Sequence, residues 1–273
     1  MNIIEKRIKN NILLDTNNDT NTDTNTDTNT DTNTDTNTDT NTNTDTNTDT
    51  NNSSKLEDKL GTNTKLFYHT LKRGPNCGLI VVDNFYNNAM NTRNFILSQE
   101  FSVKGNFPGN RTVSYATEEL KEIIQKYIQP FAGKITEFPC PKSDNSNASE
   151  IYNGAFQYTT SRDRSWIHTD KWNSWAGVLF MTPDAPLTSG TAFYRFKDGA
   201  MCEDDGKFLG NQDEVDRCSQ DLTKWELVDR VGNVFNRLIL FNAHRYHMSQ
   251  DYFGDTKENG RLFQVFFFST EKK

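Results

Sequence analysis

From Asp15 to Thr50 the chain is written wholly in Thr, Asn and Asp, mostly with a four-residue Thr-Asn-Thr-Asp period. No apolar residue occurs there to offset the entropy of ordering a backbone, and four residues is too short a period for a solenoid unit. The stretch reads as a solvated acidic tether. Isolated Asp residues on such a chain lack the converging ligands and Gly turn of a calcium loop. Folding is therefore confined to the residues beyond this tract. The expected organisation is a short N-terminal segment (1–14), a disordered Thr/Asn/Asp-rich linker (15–63) and one folded domain (64–273).

Charge divides along the same lines. The net charge is −7, and Asp15 to Asp49 contributes nine acids with no base. Met1 to Leu14 has one acid and three bases, which leaves 27 of each sign in the remainder. A neutral folded part argues against a nucleic-acid partner, whose phosphates call for a surface excess of Lys and Arg. Met1 to Leu14 lacks the uninterrupted apolar run of a secretory signal, and no later stretch is long enough to span a bilayer, so an intracellular, soluble protein with no membrane partner is expected. Cys77, Cys140, Cys202 and Cys218 form no C-x-x-C pair and are read as free thiols.

Gly78 to Val82 (GLIVV) reads as a buried strand, and Asn88 to Phe101 as a helix with Met90, Phe95, Ile96, Leu97 and Phe101 on its apolar face. Phe107-Pro108-Gly109-Asn110 marks a loop. A second helix starts at the N-cap Thr117, carries Glu118 and Glu119 in its first turn and a stripe of Leu120, Ile123, Ile124, Tyr127 and Ile128, and is expected to stop at Pro130. After Pro139 the period changes. Ala155 to Tyr158, Ala176 to Met181, Thr191 to Phe196, Arg237 to Phe241 and Leu262 to Ser269 are short β-rich runs separated by polar loops, as in a sandwich, barrel or jelly roll. The class expected is α+β, helices before an all-β half. In the last run both alternating sets are apolar, so that strand should be covered on both faces.

Three of the four histidines fall in two windows, Trp166-Ile167-His168-Thr169-Asp170 and Asn242-Ala243-His244-Arg245-Tyr246-His247. In an extended segment residues i and i+2 share a face, so His168 and Asp170 can offer an imidazole and a carboxylate to one metal. His244 and His247 are three apart and face opposite sides of a strand. Two histidines and a carboxylate leave coordination positions open, the arrangement of non-haem Fe(II) oxygenases. His69 has no such partner in sequence and reads as an ordinary surface or boundary residue.

With Ser189-Gly190-Thr191 before one aromatic strand and Arg261 fourteen residues after His247, the run from Phe156 to Phe268 resembles the double-stranded β-helix (jelly roll) core of the Fe(II)/2-oxoglutarate-dependent oxygenases, especially their prolyl-hydroxylase-like branch. Val82-Asp83-Asn84-Phe85 and Phe107 to Thr112 are similar to the N-terminal helical support of such enzymes. The resemblance implies His168, Asp170 and His247 as iron ligands, His247 being preferred over His244 by its spacing from Phe241. It implies Arg261 as the partner of the distal carboxylate of 2-oxoglutarate, a role that suits its planar fork, and Tyr158 as a residue lining the cosubstrate or substrate pocket. Where many members carry Ser or Thr two residues after the Arg, this chain has Phe263, which removes one hydrogen bond to the cosubstrate. The expected activity is a hydroxylase that uses O2 and 2-oxoglutarate on a peptide or small-molecule substrate.

Two other readings use the same residues: a non-catalytic jelly-roll binding protein, and a cupin-type metalloenzyme that has no need of Arg261 or 2-oxoglutarate. Of the tryptophans beside the cluster, one of Trp166, Trp172 and Trp175 should pack in the core, with Trp172 a candidate for the substrate entrance. Lys197 to Cys218 reads as a solvated insertion. Were it a lid at the site mouth, Glu203, Asp204 and Asp205 would favour a basic substrate.

Overall fold

The structure is a computed structural model that describes residues 65–70, 77–197 and 212–272. Both the N-terminal segment and linker expected before residue 64 and the centre of the 197–218 insertion lie outside the described residues. In chain order the elements are β1 (Lys65–Thr70), β2 (Cys77–Asp83), α1 (Ala89–Leu97), β3 (Asn110–Ser114), α2 (Glu118–Ala132), β4 (Ile135–Glu137), β5 (Ala155–Thr159), β6 (Trp175–Phe180), β7 (Thr191–Phe196), α3 (Gln212–Arg217), β8 (Trp225–Val231), β9 (Leu238–Asn242), β10 (Tyr246–Ser249) and β11 (Arg261–Thr270).

Two antiparallel sheets result. The larger has the order β1-β2-β9-β6-β11-β5-β3, with β4 also pairing β11, and the smaller has the order β10-β7-β8. His168 extends the smaller sheet by an isolated antiparallel bridge to His247. From β5 onward, β5 and β6 belong to the large sheet, β7 and β8 to the small one, and β9, β10 and β11 then alternate between the two, giving a two-sheet β-sandwich of jelly-roll type. The expectation of helices followed by strands needs correcting, because β1, β3 and β4 of the front half join the large sheet and the class is mostly β.

The alternation of apolar residues sets which face each covers. On β2, Leu79 and Val81 pack with Ala176, Ile239, Phe241 and the small-sheet residues Phe193 and Val231, filling the space between the sheets. Ile80 and Val82 point the other way, into a core shared with Leu120, Ile124 and Ile128 of α2. The last strand follows the same rule, with Leu262, Phe266 and Phe268 on the helix side and Phe263 and Val265 on the inner side. Each fully buried Phe or Leu of this kind contributes about 1.5–3 kcal/mol, so the large sheet, covered on both faces, is the rigid element.

Helix α2 begins as expected, with Thr117 Oγ1 accepting from Leu120 N at 3.2 Å. It does not stop at Pro130. Pro130 lies in the last turn, where its missing N–H removes one hydrogen bond and its fixed φ remains helical. The helix ends at Gly133, whose φ of +76° is in the region that favours glycine. Cys140 and Cys218 are free thiols. Among the described residues no helix is long and apolar enough to cross a membrane.

Candidate functional site

The small sheet meets the segment after β5 at one narrow hydrogen-bonded pair. His168 N donates to His247 O at 3.1 Å and His247 N donates back to His168 O at 2.9 Å. Residues paired this way carry their side chains on one side, and the two imidazole centroids are 4.4 Å apart. Asp170 is held by its own N–H, which donates to Ala243 O at 2.9 Å. Backbone hydrogen bonds thus bring one ligand atom each of His168, Asp170 and His247 within 4.8 Å of one another. His244 occupies the preceding turn, its N–H donating to Asn242 Oδ1 at 2.9 Å.

The tautomers follow from the surroundings. His168 Nδ1 lies 2.9 Å from Trp166 O and His247 Nδ1 lies 3.0 Å from Arg245 O. A carbonyl oxygen only accepts, so each Nδ1 carries the proton and each neutral ring is left with a lone pair on Nε2, the atom a metal takes. His247 Nε2 then sits 3.3 Å from Asp170 Oδ2. Two acceptors at that distance call for a cation, either a second proton on the ring or a metal ion. Burial, reinforced by His247, pushes the His168 ring down to about 4, against the pull of Asp170. Burial raises Asp170, but the hydrogen bond and charge of His247, with His168 and Arg111, outweigh it and hold the carboxyl below its ordinary range. A neutral imidazole beside an ionised carboxylate is the protonation state that metal binding requires.

Arg261 opens β11 on the face that also carries Phe263 and Val265. It is 0% exposed. Its Nε donates to Ser189 O at 3.0 Å, whereas Nη1 and Nη2 have no hydrogen-bond partner. The guanidinium packs on the rings of Phe263 and Phe180, 4.3 and 5.3 Å from their centroids. Burial pushes it down to about 10, with Tyr252 opposing. Thr159, paired with Arg261 across the strands, Thr191, two residues beyond Ser189, and Tyr252 each have a buried hydroxyl without a partner. Buried polar atoms are ordinarily satisfied, so this local concentration of orphans fits an oxygen-rich ligand.

The other expected residues divide. Tyr158 is not brought to the cluster. It alternates with Gln157 and Thr159, faces the helix-side core beside Leu262, and meets Phe101 edge-on at 5.0 Å. Trp175 is buried and Trp166 lies 5.8 Å from His168, while Trp172, two residues after Asp170, is 80% exposed. Arg111, Gln157, Thr191 and Tyr252 are polar residues of the interior that sequence reasoning missed. Arg111 and Gln157 are 46 residues apart, and only the β3–β5 register joins them.

Fold and site together define an antiparallel β-sandwich protein with a His–Asp–His cluster suited to a metal. The chain belongs to the family described as a family of unknown function, DUF6445, whose model matches residues 68–268. Among curated proteins there is no match. Among solved structures, the chain is similar to HygX from Streptomyces hygroscopicus, crystallised with nickel and 2-oxoglutarate bound. The identity is 10% and the TM-score 0.43, over 71% of this chain and 83% of that one.

Proposed function

We propose that this protein is an Fe(II)- and 2-oxoglutarate-dependent dioxygenase of the prolyl-hydroxylase-like branch. It hydroxylates a C–H bond of a peptidyl side chain or small molecule, with one oxygen of O2 entering that bond and the other entering succinate as CO2 leaves. The observation that carries this reading is the pairing, inside one sandwich, of a His–Asp–His cluster with a fully buried guanidinium whose two terminal nitrogens are unpartnered. A cupin-type enzyme without 2-oxoglutarate gives no reason for that guanidinium.

His168 Nε2, His247 Nε2 and an Asp170 oxygen would hold the iron, and Nδ1 donation to Trp166 O and Arg245 O would keep both rings oriented. Iron bound there supplies open coordination positions for the 2-oxo acid and O2, coupling decarboxylation to substrate oxidation. Arg261 would grip the distal carboxylate with two parallel N–H donors. The hydroxyls of Thr159, Thr191 and Tyr252 would stand in for the donor absent at Phe263, and Phe180 with Phe263 would keep water from the ion pair. The protein would act as an intracellular, soluble enzyme, with the acidic leader as a tether.

The test is anaerobic visible absorption of the full chain with Fe(II) on addition of 2-oxoglutarate, beside His247→Ala and His244→Ala. A charge-transfer band is expected in the parent and in His244→Ala and lost in His247→Ala. Folded, iron-loaded parent protein with no band would refute the proposal.

A further inference from the structure

The proposed chemistry uses one buried arginine, Arg261, and among the described residues Arg93, Arg111 and Arg245 are buried as well. Arg111 on β3 is 6% exposed and stands opposite Gln157, whose row continues across the large sheet to Phe263 and Phe180. It therefore lies on the inner face, two residues along β5 from the Thr159–Arg261 pair. Its guanidinium carbon is 3.8 Å from the Phe107 ring centroid and 5.0 Å from that of Tyr152, and the two rings meet edge-on at 5.9 Å.

What holds Arg111 is neutral. Gln157 Oε1 accepts from Nε at 2.8 Å and from Nη2 at 2.5 Å, and Gln157 is fixed in turn by donating to Pro108 O at 2.5 Å. A glutamate at 157 would form an ion pair with it, whereas glutamine orients the guanidinium without adding a charge. Among the described residues Nη1 has no hydrogen-bond partner and no carboxylate is ion-paired with Arg111. Other arginines are used differently. Arg93 ends on two carbonyls, Met181 O and Glu258 O, and Arg237 is closed by both oxygens of Asp83. Arg111 alone of these three keeps its terminal Nη1–Nη2 edge open, the edge whose two parallel N–H groups match a carboxylate.

We infer that Arg111 is the anchor for the substrate, and that the substrate carries a carboxylate which docks on the Nη1–Nη2 edge while a neighbouring C–H bond faces His168, Asp170 and His247. This rests on the proposed oxygenase function and names its substrate class, a carboxylic acid, whether small or the C-terminus of a peptide. Glu203, Asp204 and Asp205 of the 197–218 insertion, which would favour a basic substrate, lie outside the described residues. Arg111 argues for the opposite charge.

The test is ligand-observed NMR on the full chain, metal-free and loaded with Zn(II) and saturating 2-oxoglutarate. The probes are N-acetyl amino acids paired with their carboxamides, and tripeptides with free or amidated C-termini. The acids are expected to bind and the amides not, with the tripeptide arm telling a small acid from a peptide end. Arg111→Gln is expected to weaken acid binding by about tenfold to a hundredfold, Arg111→Lys to recover part of it, and 2-oxoglutarate affinity to be unchanged in both. Equal binding of acids and amides, no acid that depends on Arg111, or loss of 2-oxoglutarate affinity in step with the acids would each overturn the inference. Should Arg111→Gln fail to fold, acid against amide in the parent and Arg111→Lys decides. If the loaded parent ignores 2-oxoglutarate yet still discriminates acids through Arg111, the oxygenase reading falls and the anion site stands.

Discussion

On the proposed function, replacing Arg261 by Met should move ligand-free stability and 2-oxoglutarate affinity in opposite directions. Ligand-free, the native side chain leaves Nη1 and Nη2 buried without partners, a penalty of about 1–3 kcal/mol for each group. It offsets this with one hydrogen bond from Nε to Ser189 O, worth about 1 kcal/mol, and with contact on Phe180 and Phe263. Methionine keeps much of the apolar contact and removes the orphaned donors, so ligand-free Arg261→Met should be about 1–3 kcal/mol more stable than the parent in urea unfolding. Two charge-assisted hydrogen bonds to the carboxylate contribute about 1.5–3 kcal/mol each, so 2-oxoglutarate affinity should fall by about a hundredfold to ten-thousandfold. At a hundred times the parent's dissociation constant, 2-oxoglutarate should stabilise the metal-loaded parent by about 2.7 kcal/mol and the variant by almost nothing. A variant destabilised when ligand-free and stabilised by 2-oxoglutarate as much as the parent would refute the reasoning.

Metal-free protein should lose stability as pH falls from about 6.5 to 4. Burial keeps His168 neutral in the fold, so the unfolded chain binds the extra proton throughout that window; the loss is of the order of 2 kcal/mol given a ring that water partly reaches, read from urea midpoints at pH 7, 5.5 and 4.5. Bound metal, which competes with the same proton, should lose affinity over that window. Gly109→Ala should cost about 2 kcal/mol or more in urea unfolding, because φ is +74° and the added carbon would run into the Tyr158 carbonyl beside β3. Trp172→Ala should leave the urea midpoint within about 0.5 kcal/mol of the parent, the ring being 80% exposed; a larger fall would show that the ring packs against the protein.

Where a strand is apolar on its buried positions, the sequence announces it. The runs of β2, β5, β6, β7, β9 and β11 are legible for that reason, and both faces of β11 are indeed covered. The strands that escaped notice have weak patterns. In β8 (WELVDRV) only Trp225 and Val231 at its ends are buried, β10 has four residues, and β3 begins directly after the Pro108-Gly109 turn. Pairing forms these strands, and pairing is a long-range property. The site shows the same division. His168 and Asp170 are legible because i and i+2 share a face within one segment. Tyr158 shows the limit of such reasoning, since one step of alternation separates the inner face from the helix side. Arg111 and Gln157 become a unit only through a register that local pattern does not encode.

The way the cluster is built explains why so few residues carry so much of its geometry. His168 and His247 come from segments joined by one reciprocal pair of backbone hydrogen bonds, and Asp170 is fixed by a third to Ala243 O. Ala243 is itself tied to the large sheet by donating to Ser174 O, and the turn beyond it is closed by Arg245 N donating to Asn242 O and by Asn242 Oδ1 accepting from His244 N. The positions of the three side chains are thus set by main-chain bonds that survive side-chain truncation, and the turn from Asn242 to Arg245 is the joint on which both His247 and Asp170 depend. Truncating His168, Asp170 or His247 should then remove its donor atom and leave the fold intact. A change that lengthens this turn should do the reverse, disturbing the placement of all three side chains while touching none of them.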